Sequence, residues 1–283
     1  MAKPSDPSGT RVLEGVAGFA RRHDPDRFLC AIFAPQAARE TLFALIAFNH
    51  ELARAREAAK TPLIALMRLQ WWRDVVEDAA AGKPARRHEV AAPLHAAIRA
   101  GAFDADRLLA MVDAREAEAE EEGIPTTAAF AAYLRGTAGG FAVAAGWLLG
   151  APPAVLPALQ DAGAAYGLAG VLRSVPALAA RGRCLLPLDA LAAEGLAPEA
   201  VMAAPTAAAV RRVVASLARP ALDTLPGLRQ RLRGLPRGAL AAALPLVLAR
   251  RDLRRLAAGR TVPAERGFGD RAAVALAGLL GRV

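Results

Sequence analysis

Asp74 and Asp78 stand four residues apart, a spacing that could do chemistry. On a helix, residues i and i+4 share a face, so this pair could converge on a hard cation such as Mg2+, which takes oxygen ligands. Arg73 stands beside Asp74, and a surface or inter-helix ion pair accounts for the same residues. We prefer that structural reading. A second acidic run, Glu116, Glu118, Glu120, Glu121 and Glu122, spreads its charges over more than one helix face, so it reads as a solvated helix end. The four histidines, His23, His50, His88 and His95, show no HExxH spacing. Two cysteines, Cys30 and Cys184, cannot make a disulfide framework or a four-cysteine zinc site. Cys30 reads as a small buried hydrophobe, His50 as a structural histidine, and Trp71, Trp72 and Trp147 as core or inter-helix residues.

These side chains need elements to hold them. The chain has 283 residues, of which 54% are hydrophobic and 22% charged. It is long enough to bury a sizeable core and too apolar to be generally disordered. Apolar residues recur at helical spacing, and no period-2 alternation supports a strand. The spacing predicts an all-α fold. Asp24-Pro25 and Thr61-Pro62 carry the cap-then-proline signature of a helix start. Helices are expected over 25–33, 35–59, 62–81, 88–100, 104–121, 126–149, 153–179, 206–233, 237–257 and 270–280. Ala203-Ala204-Pro205 is the weakest joint. It separates an expected helical core, residues 1–205, from basic helices, 206–283, that complete or extend the bundle.

The formal net charge of +9 is uneven: residues 208–283 hold fifteen arginines against Asp223, Asp252, Glu265 and Asp270. Such a stretch is either a solvated basic face or a seat for an anionic partner. It contains one aromatic residue, Phe268, too few for interleaved stacking, so nucleic acid is not an expected partner. The longest uncharged stretch, 136–160, is broken by Pro152, Pro153 and Pro157 and reads as a buried helix, not a membrane span. Met1 to Thr10 is polar and lacks the apolar region of a secretory signal. The chain is expected to be cytoplasmic and soluble, with a peripheral place at the inner membrane left open.

Three stretches together resemble the squalene/phytoene synthase family. The first is Asp26-Arg27-Phe28 through Arg39, then Leu42 to Asn49. The second is Tyr133-Leu134-Arg135-Gly136-Thr137-Ala138-Gly139-Gly140. The third is Leu172-Arg173-Ser174, followed by Gly182-Arg183-Cys184-Leu185-Leu186-Pro187-Leu188-Asp189. The resemblance implies a single-domain isoprenoid-synthase-like helical bundle around a central cavity. It also implies head-to-head coupling of prenyl diphosphates, with two opposed aspartate-rich segments holding Mg2+ against the diphosphates. Here those positions are degenerate. The first segment reads Ala53, Arg54 and Glu57, and the second reads Ser174 and Leu178. Glu57 alone keeps a carboxylate, and Arg54 and Arg56 beside it disfavour a divalent cation. Pro176 should kink its helix or end it early.

Tyr133, Arg173 and Arg183 match positions that line or support the family's site, where an arginine can bind phosphate without metal or can hold helices together. The tract Phe48-Asn49-His50-Glu51-Leu52-Ala53, with Leu66 to Arg73, is similar to a branch of the family that includes a mitochondrial respiratory complex I assembly factor. That branch also lacks the paired aspartates. The resemblance therefore implies a non-catalytic protein without a cofactor. Its partner would be a respiratory-complex subunit or another protein, or an isoprenoid or anionic lipid. The alternative is a prenyltransferase whose Mg2+ site has moved to Glu57, Asp74 and Asp78.

Overall fold

The computed structural model describes residues 15–120, 122–263 and 265–283. The reading of Met1 to Thr10 and the position of Glu121 lie outside the described residues. Among those described, the elements are helices joined by short turns, without a strand.

The first four helices follow their caps. α1 (Val16–His23) precedes the first helix that the spacing predicted. Asp24 caps α2 (Pro25–Ala31), accepting from Arg27 N at 3.0 Å with Pro25 in the first position. α3 (Gln36–Glu57) is the spine of the core: Leu42 to Asn49 are all buried, so this stretch is covered on every side. Thr61 caps α4 (Pro62–Ala80) through Ile64 N. α5 (Ala91–Arg99) and α6 (Ala105–Ala114) both pack on α4. The helix expected over 104–121 stops at Ala114, and a 3-10 turn, Glu116–Glu118, changes the chain's direction.

The expected helix over 126–149 is continuous but not uniform. α7 (Thr127–Leu134) runs into a π turn, Arg135–Gly139, and then α8 (Gly140–Leu148). Small residues let α9 (Leu156–Arg173) lie almost against this segment. A Cβ at Gly163 would strike Ala138 O, and one at Gly139 would sit 2.8 Å from Gln160 O. α9 ends at Ser174, two residues before Pro176, and α10 (Val175–Ala179) follows. α11 (Leu188–Ala192) and α12 (Pro198–Ala203) are short helices that the periodicity did not reveal.

α13 (Ala208–Arg231) carries Pro220 and Pro226 in its interior. Pro245 divides the helix expected over 237–257 into α14 (Leu240–Ala243) and α15 (Pro245–Ala257). α16 (Phe268–Leu280) closes on Gly281, whose φ of 68° gives the left-handed C-terminal cap. α13 and α15 pack on α9, and their apolar residues join the same core as α3. Where α2, α8, α9, α14 and α15 meet, the remaining void is only about 10 Å3, at the threshold for a single water.

Candidate functional site

One ion pair links the end of α3 to the turn after α10. Ala53, Arg54 and Glu57 occupy the last turns of α3, and Ser174 and Leu178 flank the break between α9 and α10. The surviving carboxylate is engaged: Arg181 Nη1 contacts Glu57 Oε2 at 2.9 Å. The second segment offers only a hydroxyl, Ser174, and a buried apolar side chain, Leu178. A hard divalent cation needs several oxygens at once, and this donor set does not fit Mg2+ held against a diphosphate.

Glu57 lies close enough to Arg115 to favour its charge, and Arg115 opens a buried polar network. Arg115 Nη1 donates to Glu118 Oε1 at 2.6 Å, and Tyr133 OH donates to the same oxygen at 2.8 Å. Arg183 Nη2 donates to Glu118 Oε2 at 2.8 Å, and Arg115 Nη2 reaches Asn49 Oδ1 at 3.4 Å. The Glu118 side chain is 5% exposed. Glu118 therefore departs from its reading as part of a solvated helix end. The 3-10 turn after α6 swings it inward, where two arginines await it. Burial pushes the Glu118 carboxyl up, but Arg115 and Arg183 outweigh that and hold it below its ordinary value. Burial first, and then the Glu118 charge, push the Tyr133 hydroxyl up, so it stays a donor.

Tyr133 and Arg183 thus meet at Glu118, while Arg173 belongs to another set. Arg266 bridges Asp26 at 2.9 Å and Asp252 at 2.7 Å. Arg173 stands 3.8 Å from Asp26 and 3.9 Å from Asp252. Tyr166 OH donates to Asp26 Oδ2 at 3.2 Å. This set ties α2, α9, α15 and the connection before α16. Between the two networks, the Arg27 guanidinium lies over the rings of Phe141, 4.4 Å from its centroid, and Tyr166, 4.8 Å from its centroid. Arg27, Phe141 and Tyr166 all line the small central void.

Asp74 and Asp78 sit on the outer side of α4. Gln70 Nε2 donates to Asp74 at 2.7 Å, and Arg86 bonds both aspartates, at 3.4 Å and 2.9 Å. Lys83 and Arg86 hold the Asp78 carboxyl below its ordinary value. Arg73 bridges to Asp113 on α6 and, at 2.7 Å, to Glu116. Glu57, with its own partner Arg181, stands apart, and among the described residues no three His, Cys, Asp or Glu side chains converge as a metal site would require.

Sequence reasoning passed over Arg27, Asn49, Arg115, Glu118 and Arg266 as members of these networks. A signal existed for one pair, since Arg115 and Glu118 stand at i, i+3. Trp72 is core and Trp71 is half-buried, but Trp147 is exposed, with Arg107 5.1 Å above its ring. Asp189 of the Leu-Pro-Leu-Asp tract accepts from Thr127 N and Thr127 Oγ1, tying that loop to the start of α7.

The fold is that of the isoprenoid synthases. A dehydrosqualene synthase crystallised with ligand superposes with a TM-score of 0.74 at 14% identity, covering 92% of each chain. Squalene synthase HpnC from Alicyclobacillus acidocaldarius gives a TM-score of 0.67 at 17% identity, over 94% of this chain and 92% of that one. Residues 20–274 match the squalene/phytoene synthase family, and the chain belongs to that family. The chain is also 28% identical over 228 residues to NADH dehydrogenase (ubiquinone) complex I, assembly factor 6, of Bos taurus, covering 80% of this chain and 68% of the relative. The Homo sapiens counterpart is 28% identical over 180 residues, 63% of this chain and 54% of its own length. No described helix is long and apolar enough to cross a membrane.

Proposed function

We propose that this chain is a non-catalytic member of its family, an assembly-type factor that binds a protein partner and works peripherally at a membrane. The observation that supports this most is the Glu118 network. Beside the degenerate metal positions, Arg115, Arg183 and Tyr133 are bonded to a carboxylate of the chain itself. These three groups, which could grip a diphosphate, are already bonded from within, whereas Arg173 Nη1 has no hydrogen-bond partner. The void of about 10 Å3 where α2, α8, α9, α14 and α15 meet falls far short of the several hundred Å3 typical of a ligand pocket. The larger groove, about 820 Å3, lies beside Asp26, Arg173 and Arg266.

The likeness to complex I assembly factor 6 makes a subunit of a respiratory NADH dehydrogenase the partner of choice. Two experiments test the reading. Purified protein, given Mg2+ with farnesyl or geranylgeranyl diphosphate, should release pyrophosphate no faster than buffer. Turnover well above that background would return the chain to the prenyltransferases, with Glu57, Asp74 and Asp78 as the first carboxylates to mutate. Deleting the gene in its host should lower the amount of assembled NADH dehydrogenase on a native gel, and an unchanged amount would remove the assembly role.

A further inference from the structure

α16 is amphipathic in an unusual sense: its buried stripe is narrow and its outer face is greasy. Asp270, Val274 and Gly278 face inward, with Gly278 seated on the Phe33 ring. On the outside, Phe268 is 88% exposed, Leu276 59%, Leu279 67% and Leu280 60%. Helical spacing puts these four on the arc opposite Val274. Such a continuous apolar strip on a soluble surface marks something that covers it.

The surroundings say what that is. A groove of about 720 Å3 adjoins the C-terminal end of α16 and is lined in part by Arg229, Arg233, Arg282 and Val283. Arg229 donates to Val283 O at 2.7 Å, whereas Arg233 and Arg282 have no carboxylate partner among the described residues. Arg250 on α15 extends the positive field. Its Nε is buried without a hydrogen-bond partner, and burial, together with Arg229, Arg254 and Arg251, lowers its affinity for a proton. Asp270 of α16 already meets Arg251 at 2.5 Å, which leaves Arg233 and Arg282 at the groove to take an anion from outside. With thirteen residues α16 is about 20 Å long, enough to lie along a membrane surface and too short to span it.

We propose that the outer face of α16 docks this protein on a bilayer containing anionic lipid, its leucines entering the headgroup boundary while Arg233 and Arg282 meet lipid phosphates. This is how interfacial helices with basic flanks bind. A second copy of the chain fits less well, because pairing this face with itself would set arginines against arginines. The inference rests on the peripheral membrane placement proposed above and is independent of whether the protein is catalytic, which the pyrophosphate assay decides alone.

Flotation of the full chain with phosphatidylcholine vesicles, with and without phosphatidylglycerol, tests it. Binding should require phosphatidylglycerol and weaken as salt rises. The double variant Leu276→Glu with Leu279→Glu should lower binding by about tenfold or more, as should Arg233→Glu with Arg282→Glu. Both pairs change exposed side chains, and thermal melts verify that the variants fold. Leu63→Glu with Met67→Glu, on the exposed apolar patch of α4, should bind as the parent does. The proposal is overturned if the parent ignores phosphatidylglycerol, if the α16 pair binds unchanged, or if the α4 pair loses binding equally. It is also overturned if sedimentation shows a dimer that the α16 substitutions disperse.

Discussion

Replacing Glu118 with glutamine would leave Arg115 and Arg183, both largely buried, facing a neutral amide. Breaking a buried ion set by removing one member costs about 3–5 kcal/mol, and urea denaturation should show a loss of that order. Replacing Arg115, Glu118 and Arg183 together with apolar residues of similar volume should recover most of it, because no charge is then stranded. A recovery with intact assembly function would mark the network as scaffold, and a folded but inactive triple variant would assign it a role in binding. His50 supplies a second test. Its ring stacks on His23 at 4.6 Å and meets Phe19 edge-on, and its buried Nε2 has no hydrogen-bond partner. Burial, then the neighbouring His23 and Arg54, push it down to about 4. The unfolded chain protonates this ring near 6.5 and the folded chain does not, so stability should fall as pH drops from about 6.5 to about 4 and then level off for this group. His50→Phe should flatten that part of a melting-temperature profile without loss at neutral pH. A profile already flat in the parent would contradict this. At this scale little was legible beforehand. Glu118 reaches Arg183 across 65 residues and Arg266 reaches Asp26 across 240, and local patterning carries no trace of such distant pairing.

Helices were legible where the signal is local. The caps at Asp24-Pro25, Thr61-Pro62 and Thr126 satisfy backbone donors within one turn, so they depend on no distant part of the fold. The break at Ala114, and the short α11 and α12, depend on tertiary packing and went unread, whereas Pro176 announced the break at Ser174. The contact between α8 and α9 makes a prediction about two glycines on one helix. Gly163→Ala should destabilise the protein by about 1–3 kcal/mol, because the new methyl meets Ala138 O and Ala142 Cβ. Gly170 has open space where its Cβ would be, so Gly170→Ala should stabilise by about 0.5–1 kcal/mol through helix propensity alone. Calorimetry on both variants would check the contrast. Equal effects would mean that the close approach of α8 and α9 is not held as described.

At the scale of the whole molecule, the family resemblance and the all-α class were both legible, because three separated stretches kept their order along the chain. What filled the bundle was not. On the non-catalytic reading proposed above, the interior binds no prenyl diphosphate and so gains no stability from one. Its melting temperature should therefore stay constant when farnesyl diphosphate and Mg2+ are added to saturation, and a rise of several degrees would reveal a binding site inside the bundle.

The π turn at Arg135–Gly139 has a consequence for how this helix is numbered onto its neighbours. A turn that closes over five residues holds one residue more than the regular repeat allows. If the segment rewound to regular α-helix with every residue kept, everything upstream would rotate by about 100° relative to α8. Tyr133 would then swing away from Glu118, and Thr126 and Thr127 would leave the reach of Asp189, whereas deleting Gly136 as the segment rewinds would leave both ends in phase. One surplus residue thus keeps the two halves of a single rod in phase with different walls of the molecule.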